Sequence, residues 1–290
     1  MSKADSQNIL MAGKRGLVMG VANDHSIAWG IAKVLFAHGA ELAFTYQGEM
    51  FGRRVSPLAK SLNAKLILPC DVEDTDSLDG AFKAIKQEWG GLDFVVHAIA
   101  HSDRNELKGR YVETSRANFV RTMLISCYSF TEVARRAVPL MKKGGALITL
   151  SYHGAERVMP NYNVMGVAKA ALEASVRYLA VDLGHDNIRV NAISAGPVRT
   201  LAGAAVGDGR MVFKWSTQHS ALKKNVDIEQ VGNSALYLLS DLSTNVTGEV
   251  LHVDGGYHIV GMPRSEDLKK FGITDNGTDN NDGKNGKNGS

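Results

Sequence analysis

A chain of 290 residues, 44% hydrophobic and 22% charged, has the composition of a globular protein and the length for one large α/β domain with a well-buried core. Its formal net charge of +3 is too small to suggest a nucleic-acid surface, although a mild basic bias suits an acidic protein partner. No stretch approaches the roughly 20 apolar residues needed to span a bilayer, Met1–Gly13 lacks the apolar run of a signal peptide, and Cys70 and Cys127 lack metal-type spacing, so a cytoplasmic protein with reduced thiols and no metal is expected.

Residues 1–12 read as a tail. Arg15–Met19 is a first strand, Ser26–His38 a helix with Ile27, Ile31, Val34 and Leu35 on one face, Glu41–Tyr46 a second strand and Lys65–Pro69 a third. Asp74–Trp89 is helical, with Leu78, Phe82 and Ile85 spaced for burial. Phe94–Ala98 is a fourth strand, and Ser115–Met141 a long helix. Gly145–Leu150 makes a fifth strand, Tyr162–Gly184 a helix, Arg189–Ile193 a sixth strand, Ile228–Leu239 a helix and Glu249–Val253 a last strand. Near-continuous apolar strands alternating with helices imply one doubly wound α/β domain at 13–263, a Rossmann-type parallel sheet of about seven strands flanked by helices. A C-terminal extension follows at 264–290. From Asn276 it is almost entirely Gly, Asn, Asp, Lys, Ser and Thr and is expected to be disordered. The Asn-x-Ser/Thr triplets at Asn245, Asn276 and Asn288 match the glycosylation pattern, which the missing signal peptide disfavours.

The loop from Gly20 to Gly30 joins the first strand to the first helix. A backbone that approaches a pyrophosphate needs a residue without a side chain, which Gly20 supplies, and Ser26 opens a helix whose N–H groups and dipole favour a phosphate. The spacing is not Gly-x-Gly-x-x-Gly, because Ser26-Ile27-Ala28 stands where the middle glycine would be. Asp71-Val72 follows the third strand, where a carboxylate and neighbouring backbone suit an adenine edge; an ordinary helix cap at Asp71 or Asp74 is the competing reading. His97 to Ala100 follow the fourth strand, with small residues near a ribose. Gln47 ends the second strand where many NAD enzymes place an acid. It can bond ribose hydroxyls but cannot repel a 2′-phosphate, and Arg53 and Arg54 follow. NADH is expected, with NADPH left open.

Tyr162 and Lys169 are seven apart, two helical turns, so both face the same way. A lysine ammonium beneath a tyrosine hydroxyl stabilises negative charge and strengthens the hydroxyl as a donor. By chance such a pair is a solvated helix face. Here it follows a fifth strand and precedes Asn191 to Pro197.

Over roughly Ala12 to Pro263 the chain resembles the short-chain dehydrogenase/reductases, and within them the bacterial enoyl-[acyl-carrier-protein] reductases. The marks are the Gly20…Ser26-Ile27-Ala28 loop, Tyr152 and Tyr162 with Lys169, Ser194 to Thr200, and Val253-Asp254-Gly255-Gly256. Ordinary superfamily members have a Thr-Gly-x-x-x-Gly-x-Gly loop and a catalytic serine about thirteen residues before the tyrosine; Thr149 stands there. The resemblance implies that Gly20, Ser26, Ile27, Gln47, Asp71, Val72, Ile99, Lys169 and Thr200 bind the dinucleotide. It implies catalytic roles for Tyr152, Tyr162 and Lys169, with Ala100, Tyr152, Tyr162, Met165, Ala202 and Val206 lining the substrate pocket. His101 departs from relatives that often carry an aromatic residue there.

The implied reaction is reduction of a trans-2-enoyl thioester on acyl carrier protein by NADH, the last step of the fatty-acid elongation cycle, with Tyr162 and Lys169 stabilising the enolate oxygen. The glycine-rich segment after Thr200 reads as a substrate lid at about 200–215. A carbonyl or 3-ketoacyl thioester reductase is the nearest alternative, disfavoured by Thr149 and Tyr152, and a non-catalytic dinucleotide-sensing protein is another. The resemblance also implies a homotetramer, for which Glu249–Val253 with Tyr257–Met262 offers an interface.

Overall fold

The computed structural model describes residues 9–200, 209–262 and 264–270. Ala202, Val206, residues 201–208 of the expected lid and the segment from Asn276 lie outside the described residues. Seven strands, β1 (Arg15–Met19), β2 (Glu41–Tyr46), β3 (Leu66–Pro69), β4 (Phe94–His97), β5 (Gly145–Ser151), β6 (Ile188–Ala195) and β7 (Val250–Val253), form one sheet in the order β3-β2-β1-β4-β5-β6-β7. Every adjacent pair is parallel, as the apolar strands predict.

Both faces of this sheet are covered. On β1, Leu17 and Met19 point into one core with α3 (Thr75–Trp89), α5 (Ser129–Ala137) and α6 (Asn163–Leu183). Val18, between them, points into the other with α1 (Ile27–Ala37), α2 (Gly48–Ser61) and α8 (Ile228–Leu239). Alternate side chains of a strand point to opposite faces, so a strand buried on both must be apolar throughout. The helices α4 (Arg116–Met123), α7 (Gly209–His219) and a short α9 (Ser265–Lys270) complete the described chain.

Three local features depart from the sequence reading. Helix α2 occupies a stretch to which no element was assigned. It carries Pro57 inside, and of its residues only Gly52, Val55 and Ala59 are buried, so its apolar period is weak. The expected single helix at 115–141 is instead α4, a π-turn at Leu124–Tyr128, α5 and a 3₁₀ turn at Val138–Leu140 that contains Pro139. At the π-turn the Ser129 hydroxyl donates to the Ile125 carbonyl at 2.6 Å, drawing the backbone out of the α-helical ladder. Gly30, read as the end of the loop, lies within α1. A Cβ there would sit 2.3 Å from the Ile228 carbonyl oxygen, so it permits the close packing of α1 on α8.

Candidate active site

The chain runs β1-β2-β3 in one direction across the sheet and returns to place β4 on the other side of β1. This reversal opens a crevice at the carboxyl ends of the strands, where ligands bind in open α/β sheets. A cleft of about 2340 Å³ lies there, more than the roughly 300–1,000 Å³ of a single small-ligand pocket. It brings together Gly20, Ser26, Ile27, Ile99, Ala100, Tyr152, Tyr162, Met165, Lys169 and Thr200. Gln47, Asp71 and Val72 are not among its lining residues but stand at the ends of β2 and β3 on the same sheet edge.

One half of the cleft is built from backbone. Gly20 has φ +93°, and a Cβ there would lie 2.0 Å from the Ala98 carbonyl oxygen, so only glycine fits. Ser26 is the N-cap of α1 but makes no side-chain cap; its hydroxyl accepts instead from Ala22 N and Asn23 N, each at 3.0 Å. The serine therefore shapes the loop and leaves the first N–H groups of α1 for an anion. This cradle fits a pyrophosphate. Asp74, not Asp71, caps α3, accepting from Asp76 N and Ser77 N. Asp71 is left to accept from Glu73 N at 2.9 Å and from the Gln47 amide at 2.9 Å. Arg53 is tied to Glu49 at 3.2 Å.

The other half is built from buried side chains. The rings of Tyr152 and Tyr162 meet edge to face, their centroids 5.1 Å apart. Burial raises both phenols above their usual range, so both are neutral donors. The Tyr152 hydroxyl is buried with no hydrogen-bond partner among the described residues, which suits a ligand atom in the cleft. Lys169 is 6% exposed and donates to the Leu150 carbonyl at 2.7 Å. Burial lowers its pKa to about 8, so the ammonium persists at neutral pH. Asn161 and Asn163, either side of Tyr162, hold positive φ angles of 56° and 36°. The Asn163 amide donates to the Glu106 carbonyl at 3.2 Å, fixing the start of α6 against the opposite wall.

Thr149, where a carbonyl-reducing relative would keep its serine, faces the interior. It is 1% exposed, and its hydroxyl donates to the His97 carbonyl at 3.2 Å and lies 3.0 Å from His97 Nδ1. Burial pushes His97 down to about 3, so this imidazole is neutral, its other nitrogen 2.8 Å from the Ser129 hydroxyl. His101 opens onto the cleft. The sequence reading missed Leu107, Met159 and Phe213 in the lining. Leu107 and Met159 pack on the tyrosine pair, and Phe213 lies beneath the Arg199 guanidinium, 4.6 Å from its ring centroid. Leu107 and Met159 are single apolar residues in polar loops and give no periodic signal, whereas Phe213 lies in α7.

A family model described as Enoyl-(Acyl carrier protein) reductase matches residues 20–258. Enoyl-[acyl-carrier-protein] reductase [NADH] 2 of Rhizobium meliloti (strain 1021) is 66% identical over 262 residues, which cover 90% of this chain and 98% of that protein. Among solved structures, the Anaplasma phagocytophilum reductase in complex with NAD is 61% identical with a TM-score of 0.85, covering 88% of this chain and 97% of its own. The Bacillus cereus reductase, solved with NADP+ and indole naphthyridinone, is 52% identical with a TM-score of 0.85, covering 87% and 99%.

Proposed function

The chain belongs to the enoyl-(acyl carrier protein) reductase family, and from that premise we infer the activity of the cleft: NADH-dependent reduction of trans-2-enoyl thioesters on acyl carrier protein, the last step of fatty-acid elongation. When bound, the reduced dinucleotide supplies a hydride to the β-carbon of the enoyl thioester. Negative charge then develops on the thioester oxygen. In our reading Tyr162 donates its hydroxyl hydrogen to that oxygen, in a site where burial keeps the phenol protonated. Lys169 adds a fixed positive charge and orients the ribose, while its bond to the Leu150 carbonyl sets its position. Gly20, Ser26, Ile27, Ile99 and Thr200 hold the dinucleotide in this assignment, and Gln47, Asp71 and Val72 receive its adenosine end. Tyr152, Met165 and Ala100 shape the acyl pocket.

One observation carries the choice of an enoyl over a carbonyl substrate. Tyr152 and Tyr162 share the cleft wall, while Thr149 spends its hydrogen bonds on His97 and leaves no serine-like donor for an alkoxide. Oxidation of NADH, and separately of NADPH, with a trans-2-enoyl and a 3-ketoacyl thioester tests this. Rapid turnover of the enoyl compound alone is expected, and turnover of the ketone alone overturns the reading.

We further read the chain as one reductase domain at 13–263 with a lid at about 200–215, placed in the cytoplasm. No helix among the described residues is long and apolar enough to cross a membrane. A homotetramer accords with the apolar side chains exposed on the helices and beyond β7, among them Val120, Tyr178, Val181, Ile259 and Met262.

A further inference from the structure

Saturating a carbon–carbon double bond consumes one proton for each hydride, and the tyrosine–lysine pair accounts for charge on the thioester oxygen without naming the source of that proton. Behind the pair lies a carboxyl group the mechanism above does not use. Glu173 sits one helical turn beyond Lys169 on α6, is 8% exposed, and bonds to the hydroxyl of Ser151. Ser151 ends β5 and lines the cleft. A buried carboxylate with a single neutral donor is poorly stabilised as an anion. Burial accordingly raises the Glu173 pKa above the usual carboxyl range; Glu156 adds to the rise, while Ser151, His252 and Arg177 oppose it.

Glu173 also lies within the electrostatic reach of an ionisable cluster that meets solvent. His252 Nε2 is 2.7 Å from the Glu156 carboxylate, their side chains 18% and 35% exposed. The His252 ring stacks on His258 with centroids 3.9 Å apart, and His258 Nδ1 is 3.0 Å from the Asp254 carboxylate. Lys169 and Arg177 face Glu173 from its own helix.

We propose that Glu173 is a proton relay for this reductase, passing a proton through the Ser151 hydroxyl into the cleft and regaining it from the His252–Glu156 pair at the surface. The proposal rests on the enoyl-reductase reading. In the step, the thioester's β-carbon gains the hydride and its π pair shifts toward the α-carbon and oxygen. The Glu173 O–H bond breaks as its proton moves to the Ser151 oxygen. The serine's own proton then enters the cleft and completes the new C–H bond at the α-carbon. Glu173 is left as a carboxylate, and a proton taken up at His252–Glu156 restores it. The sum is one hydride and one proton per double bond.

Glu173→Gln keeps the volume and a hydrogen bond to Ser151 but cannot carry the proton. In the cofactor-free protein at neutral pH, the infrared carbonyl band of a protonated carboxyl is expected and should vanish in Glu173→Gln. In the assay, kcat should fall at least about tenfold, against the roughly 10²–10⁴-fold typical of general acid–base groups. KM for the thioester and the Tm should change little, and the solvent isotope effect on kcat should grow. Ser151→Ala, which interrupts the same path from the cleft side, should act alike, with Ser151→Thr restoring turnover. Absence of the band, or kcat and solvent isotope effect in both Glu173→Gln and Ser151→Ala equal to the wild type, overturns the relay, even if Tm falls. A wild-type protein that reduces no enoyl thioester overturns the functional reading instead, and the infrared band still reports on Glu173.

Discussion

Lys169 places a cation where the fold is least able to solvate it, and the cost can be measured. Its pKa falls from 10.5 to about 8 on burial. Below the lower value both folded and unfolded chains carry the proton, and the folded state bears the full penalty. Between the two values the unfolded chain binds more protons than the folded one, so stability rises with pH across this window. Above 10.5 the penalty is gone. At about 1.4 kcal/mol per unit, the shift amounts to about 3 kcal/mol at neutral pH, shrinking to about 1 kcal/mol by pH 10. Lys169→Met lacks the titrating group altogether. Its stability relative to wild type should therefore drop by about 2–3 kcal/mol between pH 7 and pH 10, whatever the fixed contribution of the lost bond to the Leu150 carbonyl. Urea midpoints of the cofactor-free proteins, at one protein concentration so that assembly does not intrude, measure this difference. A wild-type-minus-variant difference that stays flat with pH would refute the reasoning, because it would mean that Lys169 is as well solvated folded as unfolded.

Replacing Tyr162 with Phe should lower kcat by about 100- to 1,000-fold with NADH affinity unchanged, as steady-state rates and fluorescence titration would show; near-normal turnover removes Tyr162 as the oxyanion donor. Tyr152→Phe should leave the cofactor-free protein at least as stable, because its hydroxyl is buried without a partner among the described residues, while raising KM for the thioester. Gly20→Ala forces a methyl group to 2.0 Å from the Ala98 carbonyl oxygen at a φ of +93°; NADH affinity should fall by at least about tenfold, and calorimetry showing equal affinity would discount the cradle. Asp71→Asn removes the carboxylate beside Gln47, and a nearby charge in a solvated site is worth about 1 kcal/mol, so the NADPH-to-NADH ratio of kcat/KM should rise roughly fivefold.

Where a residue's role is set by its neighbours along the chain, the sequence displays it. Leu17, Val18 and Met19 are all apolar because both faces of β1 are covered, and such runs alternating with helical patterns mark a buried parallel sheet. Tyr162 and Lys169 likewise both line the cleft as their spacing implies, although Tyr162 is the N-cap of α6 and not within it, and Asn163 between them holds a positive φ. Roles set by distant partners stay hidden. Asp71 and Asp74 are equivalent as helix caps on paper, and folding separates them: Asp74 accepts from Asp76 N and Ser77 N, while Asp71 meets Gln47 from beyond β2. The π-turn in the long helix depends on Ser129 bonding back to Ile125, and α2 hides behind a proline and a polar surface. Ser151 and Glu173, twenty-two residues apart, have no local signature at all.

The two halves of the cleft solve different physical problems, and this division orders the effects of substitution. The phosphate half is made of backbone geometry at Gly20 and of uncapped N–H groups at the start of α1, none of which titrates near neutral pH. Changes there should alter affinity for the dinucleotide by much the same factor at every pH. The chemical half gathers Tyr162, Lys169, Glu173 and His97 at or below about a tenth exposure, and burial shifts each of them against its charged form. A neutral phenol is a better donor to a developing oxyanion than an ionised one, and a neutral carboxyl can release a proton where a carboxylate cannot. Low dielectric strengthens both effects. The burial that makes Lys169 expensive is thus the same burial that keeps the Tyr162 phenol protonated, so a substitution that opens this half to water should gain stability at Lys169 while narrowing the pH range of turnover.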